Sequence, residues 1–301
     1  MTTAGNDDSL SLFADHFLPG AFYCGTPQRE AVARMEHLID RRHRLGLIAG
    51  PAGSGKSWIL ESLHVEFVRR GAAVAHVSAI GSDPREFLWQ LNAQLGTRPP
   101  YDDSPFRLWR RLTDRLSENR TIEQSTILLL DDIDRGQGNL QTLIVRIVAH
   151  DACRGAGPAV IVSATRDGRD RLASNLTRLV ELHICLEPWT RHEIGDYVEK
   201  NLAQAVGPPV AMEAAAVTRL HQLSRGVPRR ARRLAALAWT SVCDLAEDTD
   251  ALPVSITAAD VEAALEQIGT PCRAGAEGVK QGTEGEEQRT GAAPRPVEAS
   301  T

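Results

Sequence analysis

Five short apolar runs of strand length alternate with segments of helical periodicity, and this alternation constrains the fold more than any other feature. The runs are LGLIA (45–49), AAVAHVS (72–78), STILLLDD (125–132), PAVIVSAT (158–165) and LVELHICLE (179–187). The segments between them carry an apolar residue every three or four positions, as amphipathic crossover helices do. Continuous apolar strands joined by helices indicate a parallel sheet that is covered on both faces. The sequence therefore predicts an α/β core with five strands.

A change of pattern near Pro188 divides the chain, because four consecutive segments of helical periodicity follow it without a further strand-length run. We expect an α/β core over residues 16–188 and an all-helical second unit over 189–270. The stretches 1–15 and 271–301 are polar, and burial of their few apolar side chains cannot offset the entropy lost on ordering. They are expected to be a flexible N-terminal tail and a disordered C-terminal tail.

An amphipathic helix is expected before the first strand. Thr26 has the character of an N-cap, and Pro27 suits the first helical position. Val32, Met35 and Leu38 then fall on one face of the helix, which the core should bury.

The overall composition narrows the classes of function. The 301 residues carry a formal net charge of −5, which argues against a surface that binds a polyanion throughout but allows a local basic face. The five cysteines form no CxxC pair, so neither a disulfide framework nor a zinc site is indicated. An acidic N-terminus and the lack of any apolar run of about eighteen residues predict a cytoplasmic protein without a membrane span.

The stretch GPAGSGKS, residues 50–57, directly follows the first apolar run and fits the P-loop pattern GxxxxGK followed by Ser or Thr. Such a loop wraps phosphates with backbone N–H groups at a helix N-terminus, where larger side chains would block the approach. We expect Lys56 to reach the β and γ phosphates of ATP and Ser57 to offer its hydroxyl to Mg²⁺. The predicted nucleotide-binding residues of this segment are Gly50, Pro51, Ala52, Gly53, Ser54, Gly55, Lys56, Ser57 and Trp58.

Two acidic residues end the third apolar run. Asp131 is expected to hold Mg²⁺ through its water shell, and Asp132 to orient or deprotonate the attacking water. The alternative is that both aspartates only cap the following helix.

The fourth run ends in small hydroxyl residues, at the strand end where ligands of open α/β sheets bind. These are Ser163 and Thr165, and Thr165 is the candidate for contacting the γ phosphate or the water. The alternative is an ordinary threonine at a strand end.

The helical unit contains SRGVPRRARRLAALA, in which arginine pairs follow a helix start. Arginine is a rigid, permanently charged fork suited to phosphate, so Arg229 is predicted to reach the nucleotide from this unit. RRARR is also typical of a solvated helix face or of a nucleic-acid patch. At the start of the helical unit, His192 and Glu193 are interpreted as ordinary residues of the first turn of its first helix.

Taken in order, the P-loop, the acidic strand end, the polar strand end and the segment GVPRR resemble the AAA+ ATPases. More narrowly, the chain resembles the group that contains general secretion pathway protein A (ExeA-type) and the transposition ATPases of MuB/TniB type. FYCGTPQREAVARMEHLI is similar to the opening of ExeA-type domains, and LSRGVPRRARRLAALA resembles their sensor-2 helix. The resemblance covers roughly residues 16 to 270.

This resemblance implies a sheet of strand order 5-1-4-3-2, a helical lid, and ATP bound between core and lid, often at a subunit boundary. It implies that residues 50–57 are Walker A, that Asp131 and Asp132 are Walker B, and that Thr165 lies nearest to sensor 1. Arg229 would be sensor 2. Arg178 lies where an arginine finger would act on the ATP of a neighbouring subunit, which implies a homo-oligomer.

The sequence departs from the family pattern by having Asp-Asp in Walker B where Asp-Glu is usual, which predicts slow turnover. The principal hypothesis is a Mg²⁺-dependent ATPase that couples hydrolysis to oligomerisation or remodelling of a partner complex. The alternatives are an ATP-dependent DNA-binding switch of transposition-targeting type with weak hydrolysis, and an adaptor that acts on a protein partner alone.

Overall fold

The computed structural model describes residues 25–150, 157–206, 211–249 and 255–269. Both predicted tails, 1–15 and 271–301, lie outside these residues, so the domain limits expected at their edges remain predictions. Within the described residues, none of the helices is long and apolar enough to cross a membrane.

The helices and strands alternate through the first part of the chain, as the sequence predicts. They are α1 (Thr26–Asp40), β1 (Leu45–Gly50), α2 (Lys56–Arg69), β2 (Ala73–Ser78), α3 (Pro84–Gln94), α4 (Pro105–Thr121), β3 (Thr126–Asp131), a 3-10 turn (Ile133–Arg135), α5 (Leu140–Ala149), β4 (Ala159–Thr165), α6 (Arg166–Arg169), α7 (Ser174–Thr177) and β5 (Leu182–Cys185). The helical unit follows, with α8 (Arg191–Val206), β6 (Ala211–Met212), α9 (Ala214–Ser224), α10 (Pro228–Thr249), β7 (Ser255–Ile256) and α11 (Ala258–Gly269).

The five long strands form one parallel sheet in the order β2-β3-β4-β1-β5. Counted from the other edge this is 5-1-4-3-2, so the predicted strand order is confirmed. β4 lies between β1 and β3, and its Thr165 pairs with Gly50 at the end of β1. Because the strands are parallel, the end of β1 that begins the P-loop and the end of β3 at Asp131 both lie at the carboxyl-terminal end of the sheet.

Apolar side chains fill both faces of the sheet. Leu128 and Leu130 of β3 belong to one buried cluster, which α3, α4 and α5 cover, while Leu129 lies in the opposite cluster beneath α1 and α2. Burial of each such side chain contributes roughly 1.5–3 kcal/mol. On the α1 side the packing is close, since a Cβ on Gly46 would lie 2.7 Å from the sulfur of Met35.

The start of α1 differs from the expectation. The helix begins at Thr26 and its N-cap is Gly25, which makes no side-chain cap. The amide of Thr26 donates instead to Oε1 of Glu193 in the helical unit, at 3.0 Å. A carboxylate from a distant segment therefore does the work of the cap, and Thr26 itself is the first helical residue.

The helical unit has its own buried cluster, formed around Trp189, Tyr197, Leu220, Leu234 and Trp239. The prediction that it is all-helical is wrong in one respect, because β6 and β7 pair in parallel. This pair is only two residues long on each side, so its pairing rests on backbone groups and leaves no alternating pattern to detect.

Candidate functional site

The P-loop, residues 50–57, connects the end of β1 to the first turn of α2. Gly53 and Gly55 have φ values of 85° and 98°, in the left-handed region that favours glycine. Gly55 is the N-cap of α2, so the free N–H groups of that helix start lie at the loop. A Cβ on Gly50 would lie 2.8 Å from Oγ of Ser54, which shows how closely the loop folds on itself.

Lys56 lies under the loop and is only 6% exposed. Its ammonium donates to the carbonyl oxygens of Gly50 and Pro51, at 3.1 and 3.2 Å. Burial lowers the pKa of Lys56 from its usual value, and the carboxylates of Asp132 and Asp131 oppose that shift. The loop therefore holds a buried cation that carbonyl oxygens satisfy only in part, next to two acids.

Asp131 ends β3 with a carboxylate that is 7% exposed. Its Oδ1 accepts a short hydrogen bond from the hydroxyl of Ser163 and a 3.0 Å bond from the amide of Asp132. Both bonds end on Oδ1, which leaves Oδ2 for a ligand. Hard divalent cations prefer carboxylate and hydroxyl oxygens, so Asp131 and Ser57 fit the predicted Mg²⁺.

Ser163 was predicted only as one of the strand-end hydroxyl residues, yet it organises this pair of acids. It is fully buried, and its Oγ accepts a 2.9 Å hydrogen bond from the amide of Asp132 while it donates to Asp131. The only signal in the sequence was its place on the strand next to β3 in the predicted order.

Asp132 has φ 49° and ψ 48°, a left-handed conformation that costs free energy in most residues and that Asp and Asn tolerate best. Its amide is fixed by Asp131 and Ser163, while its side chain makes no capping bond to the 3-10 turn that follows. The capping alternative therefore does not account for this carboxylate. Burial raises its pKa, Asp131 adds to that shift, and Lys56 opposes it.

Thr165 is engaged locally. Its hydroxyl donates to Oδ2 of Asp134 at 2.5 Å and accepts a 3.0 Å bond from the amide of Gly168, which makes it the N-cap of α6. No motif in the sequence marks Asp134, which lies three residues after Asp131 in the 3-10 turn. The predicted role of Thr165 toward a nucleotide stays a prediction.

Two other residues predicted from the sequence are Trp58 and Arg178. Trp58 is half-buried against the apolar cluster between the sheet and α1 and α2. Arg178 is exposed after α7, and no ion pair or hydrogen bond among the described residues joins its guanidinium to the P-loop. Its predicted role concerns a neighbouring subunit and is a proposal.

The helical unit contacts the P-loop directly. The amide of Arg229 donates to the carbonyl oxygen of Gly53 at 3.2 Å, and a Cβ on Gly53 would lie 2.8 Å from Cβ of Arg229. The exposed Arg229 therefore stands beside the loop at the start of α10. Gly226, with φ 68°, lies so close to the segment before α8 that a Cβ would be 2.4 Å from the carbonyl oxygen of Trp189.

Comparisons with known proteins agree with this architecture. Residues 39–172 match the model of a family described as an AAA domain. The ORC1 protein of Aeropyrum pernix, solved in complex with DNA, is 21% identical with a TM-score of 0.63, over 87% of this chain and 69% of that one. CDC6P of Pyrobaculum aerophilum is 14% identical with a TM-score of 0.65, over 86% of this chain and 71% of that one.

The RuvB Holliday junction branch migration motor of Thermotoga maritima is 20% identical with a TM-score of 0.50, over 81% of this chain and 70% of that one. No curated protein matches the sequence. At these identities the similarity shows the fold, and the chain has the fold of AAA+ P-loop NTPases. The narrower resemblance to the ExeA-type and MuB/TniB-type group remains a prediction.

Proposed function

We propose that this chain is a Mg²⁺-dependent ATPase that couples the state of its nucleotide to the assembly or remodelling of a partner complex. The observation that carries the proposal is the convergence of three groups at one edge of the sheet. The buried ammonium of Lys56 lies at the P-loop, and Ser163 of the neighbouring strand β4 bonds the carboxylate of Asp131 and the backbone amide of Asp132. An AAA domain match over this region supports a nucleotide as the ligand.

In this proposal the P-loop binds the phosphates through the free amides at the start of α2. The ammonium of Lys56 exchanges its two carbonyl contacts for phosphate oxygens, which bear full negative charge. Bound Mg²⁺, held by Ser57 and Asp131, would neutralise charge on the β and γ phosphates. Ser163 keeps the carboxylate of Asp131 in one orientation.

Asp132 is the proposed base that orients or deprotonates the attacking water. Its backbone amide donates to Asp131 and to Ser163, so the position of the Asp132 backbone from which the carboxylate extends is fixed. Aspartate is one methylene shorter than the usual glutamate, so its carboxylate lies farther from the attacking water. We propose that this larger distance makes turnover slow.

Arg229 is the proposed group that contacts the nucleotide from the helical unit, because its backbone is already bonded to Gly53. Arg178, exposed and distant from the loop in the sequence, is proposed to act on the nucleotide of a second copy of this chain. The nucleotide would then lie between core and helical unit and at a boundary between subunits.

The mass of the protein in solution tests this coupling. We expect larger assemblies with Mg²⁺ and a non-hydrolysable ATP analogue than with ADP, and we expect Asp131→Asn to remove the Mg²⁺ dependence. Asp170→Asn, which changes an exposed aspartate paired with Arg169, is the matched control. Equal masses with both nucleotides, together with measured binding of both, would contradict the coupling.

A second candidate function is an ATP-dependent DNA-binding switch with weak hydrolysis. It is favoured by Arg225, Arg230 and Arg233, which are exposed around the start of α10 and make no ion pair among the described residues. Positive charge at a helix N-terminus is unfavourable unless an anion offsets it.

Retention on duplex DNA distinguishes this candidate. It predicts binding that requires ATP and weakens steeply with salt. The double variant Arg230→Ala/Arg233→Ala should lose retention, while Arg34→Ala/Arg69→Ala removes two exposed arginines elsewhere and should keep it. Retention that is equal in both double variants would argue against this surface.

A further inference from the structure

Gln28, in the first turn of α1, is fully buried and joins two segments that are far apart in the sequence. Its Nε2 donates a 2.8 Å hydrogen bond to the carbonyl oxygen of Ser54, and its Oε1 accepts a 2.9 Å bond from the indole Nε1 of Trp189. Ser54 belongs to the P-loop, and Trp189 precedes the first helix of the helical unit. One amide thus connects the loop to the helical unit.

The chemistry of this bridge requires a side chain that both donates and accepts, as the amide of Gln28 does. A backbone carbonyl oxygen only accepts and an indole N–H only donates, so the group between them must offer one donor and one acceptor. A carboxylate lacks the donor, a thioether lacks the donor and accepts only weakly, and an alkyl side chain lacks both. The bridge also has no net charge, so burial strengthens its hydrogen bonds without the cost of desolvating an ion.

The two segments are joined a second time, which closes a circuit. The amide of Trp189 donates to the carbonyl oxygen of Gly226 at 2.8 Å, three residues before Arg229. The amide of Arg229 in turn donates to the carbonyl oxygen of Gly53 at 3.2 Å. Two successive carbonyl groups of the P-loop, at residues 53 and 54, are therefore held by groups that lead to Trp189.

Peptide planarity carries this constraint into the phosphate-binding side of the loop. In a trans peptide the C=O of one residue and the N–H of the next point in opposite directions. Because Gln28 holds the carbonyl of Ser54, the N–H of Gly55 must point away from Gln28. That N–H belongs to the start of α2, where the proposed function places phosphate.

We propose that Gln28 is a positioning residue that couples the P-loop to the helical unit: a phosphate that reorients the Ser54–Gly55 peptide moves the indole of Trp189 through this single amide. The inference rests on the proposed nucleotide binding. It assigns Gln28 no contact with the nucleotide.

The test follows the indole N–H of Trp189 by NMR while nucleotide binding is measured by calorimetry on the same full-length protein. The chain has five tryptophans, and Trp189→Phe assigns the resonance. We expect ADP with Mg²⁺ to shift this resonance in the unmodified protein. Gln28→Met preserves length, removes the donor to Ser54 and leaves the indole only a weak sulfur acceptor. In this variant we expect the shift to disappear and the affinity to fall about three- to tenfold.

A matched control separates coupling from loss of stability. Asn92 is also fully buried, and its amide donates to the carbonyl oxygens of Leu88 and Leu108 in the core away from the P-loop. Asn92→Leu should lower the melting temperature but leave the nucleotide affinity and the Trp189 shift unchanged.

A second variant covers the case in which Gln28→Met does not fold. Trp189→Phe removes the indole donor, and it should lower nucleotide affinity because the described hydrogen bond of the indole leads to the P-loop through Gln28. Trp189 is buried, so the smaller ring also lowers stability, which denaturant unfolding measures separately from affinity. In a double-mutant cycle the effects of Gln28→Met and Trp189→Phe should be smaller together than their sum, since both break one chain.

The outcomes separate this inference from the function beneath it. An unmodified protein that binds no adenine nucleotide would overturn the proposed function and the inference with it. Binding that persists in Gln28→Met with an unchanged affinity and an unchanged Trp189 shift would overturn the inference alone. If Trp189→Phe is the only folded variant, unchanged affinity in that protein has the same consequence.

Discussion

The P-loop has two sides, and they are built from different chemistry. The side toward the sheet carries charge, with Lys56 near Asp131 and Asp132 and the hydroxyl of Ser163 between the acids. On the side toward the helical unit, the described hydrogen bonds to the loop join neutral groups, which are backbone groups, one amide and one indole, with the charged side chain of Arg229 beside them. We call this the neutral side. Strand register fixes the first side, whereas the second depends on contacts between distant segments. We therefore expect the charged side to serve hydrolysis and the neutral side to couple the P-loop to the helical unit.

The hydrophobic cores of the sheet and of the helical unit also differ in the size of the side chains that they bury. The sheet is packed on both faces by Leu, Ile and Val, while the helical unit buries many alanines beside a few large aromatic side chains. Less apolar area per residue means less free energy opposing local opening. The helical unit is therefore expected to open before the sheet does.

The largest effect should come from the residue that serves the charged side. Lys56→Ala removes the only buried ammonium at the described loop, and we expect turnover to fall about a thousandfold together with a loss of nucleotide affinity. Calorimetry and phosphate release measure the two quantities. Lys200→Ala, an exposed lysine of α8, is the control. Unchanged affinity in Lys56→Ala would remove the central assignment of the site.

Asp132→Asn tests the charged side by removing one negative charge without disturbing the backbone. Asparagine tolerates the left-handed conformation about as well as aspartate, so the fold of the turn should be kept. We expect nucleotide affinity to persist and turnover to fall about a hundredfold. A variant that hydrolyses ATP at the original rate would exclude Asp132 as the base.

Gly226→Ala tests the neutral side. A Cβ there would meet the carbonyl oxygen of Trp189 at 2.4 Å, whereas Gly81, with a similar φ of 71°, has nothing within 4 Å of a Cβ. Both variants bear the cost of the left-handed backbone, so their difference isolates the clash. We expect Gly226→Ala to be less stable than Gly81→Ala by about 2 kcal/mol in denaturant unfolding. Equal stability would show that the joint can move apart freely.

The smallest effect is expected at the contact between loop and helix. A Cβ on Gly53 would lie 2.8 Å from Cβ of Arg229, and Gly71, at nearly the same φ, is open. Because the start of α10 can shift slightly, we expect Gly53→Ala to lower the free energy of unfolding by only about 1 kcal/mol more than Gly71→Ala does. The loss should show as weaker nucleotide binding, with the hydrolysis rate of the bound nucleotide nearly kept. A larger fall in that rate than in affinity would mean that Gly53 supports the charged side as well.

The sequence predicts the charged side well because its signals are local. The P-loop pattern and the apolar run ending in Asp131 mark Lys56 and the two acids in the sequence. The strand order that the AAA+ resemblance implies, which the sheet confirms, then places them at the same end of neighbouring strands. The sequence predicts Thr165 as the functional hydroxyl of β4, yet the hydroxyl that bonds Asp131 belongs to Ser163. Both side chains lie on the same side of the strand, and spacing alone does not distinguish them.

The neutral side could not be predicted, since its contacts join residues with no fixed spacing. Gln28 and Trp189 are 161 positions apart, and Glu193 reaches Thr26 across 167. Glu193 has the pattern of a first-turn residue and does bond to Thr190, but its second partner is the amide that opens α1. Such pairings follow from how the helical unit lies on the core, which only the folded chain reveals.

The position of β1 sets where the molecule can yield. The strand lies between β4 and β5, and all six of its residues are buried. Its amide protons should exchange with deuterated solvent only when the sheet comes apart, so we expect them to be among the slowest-exchanging amides of the described residues. A ligand bound at the end of β1 is therefore attached to a rigid part of the molecule. Any conformational change that the ligand causes must then occur in the helices, whose amides exchange faster.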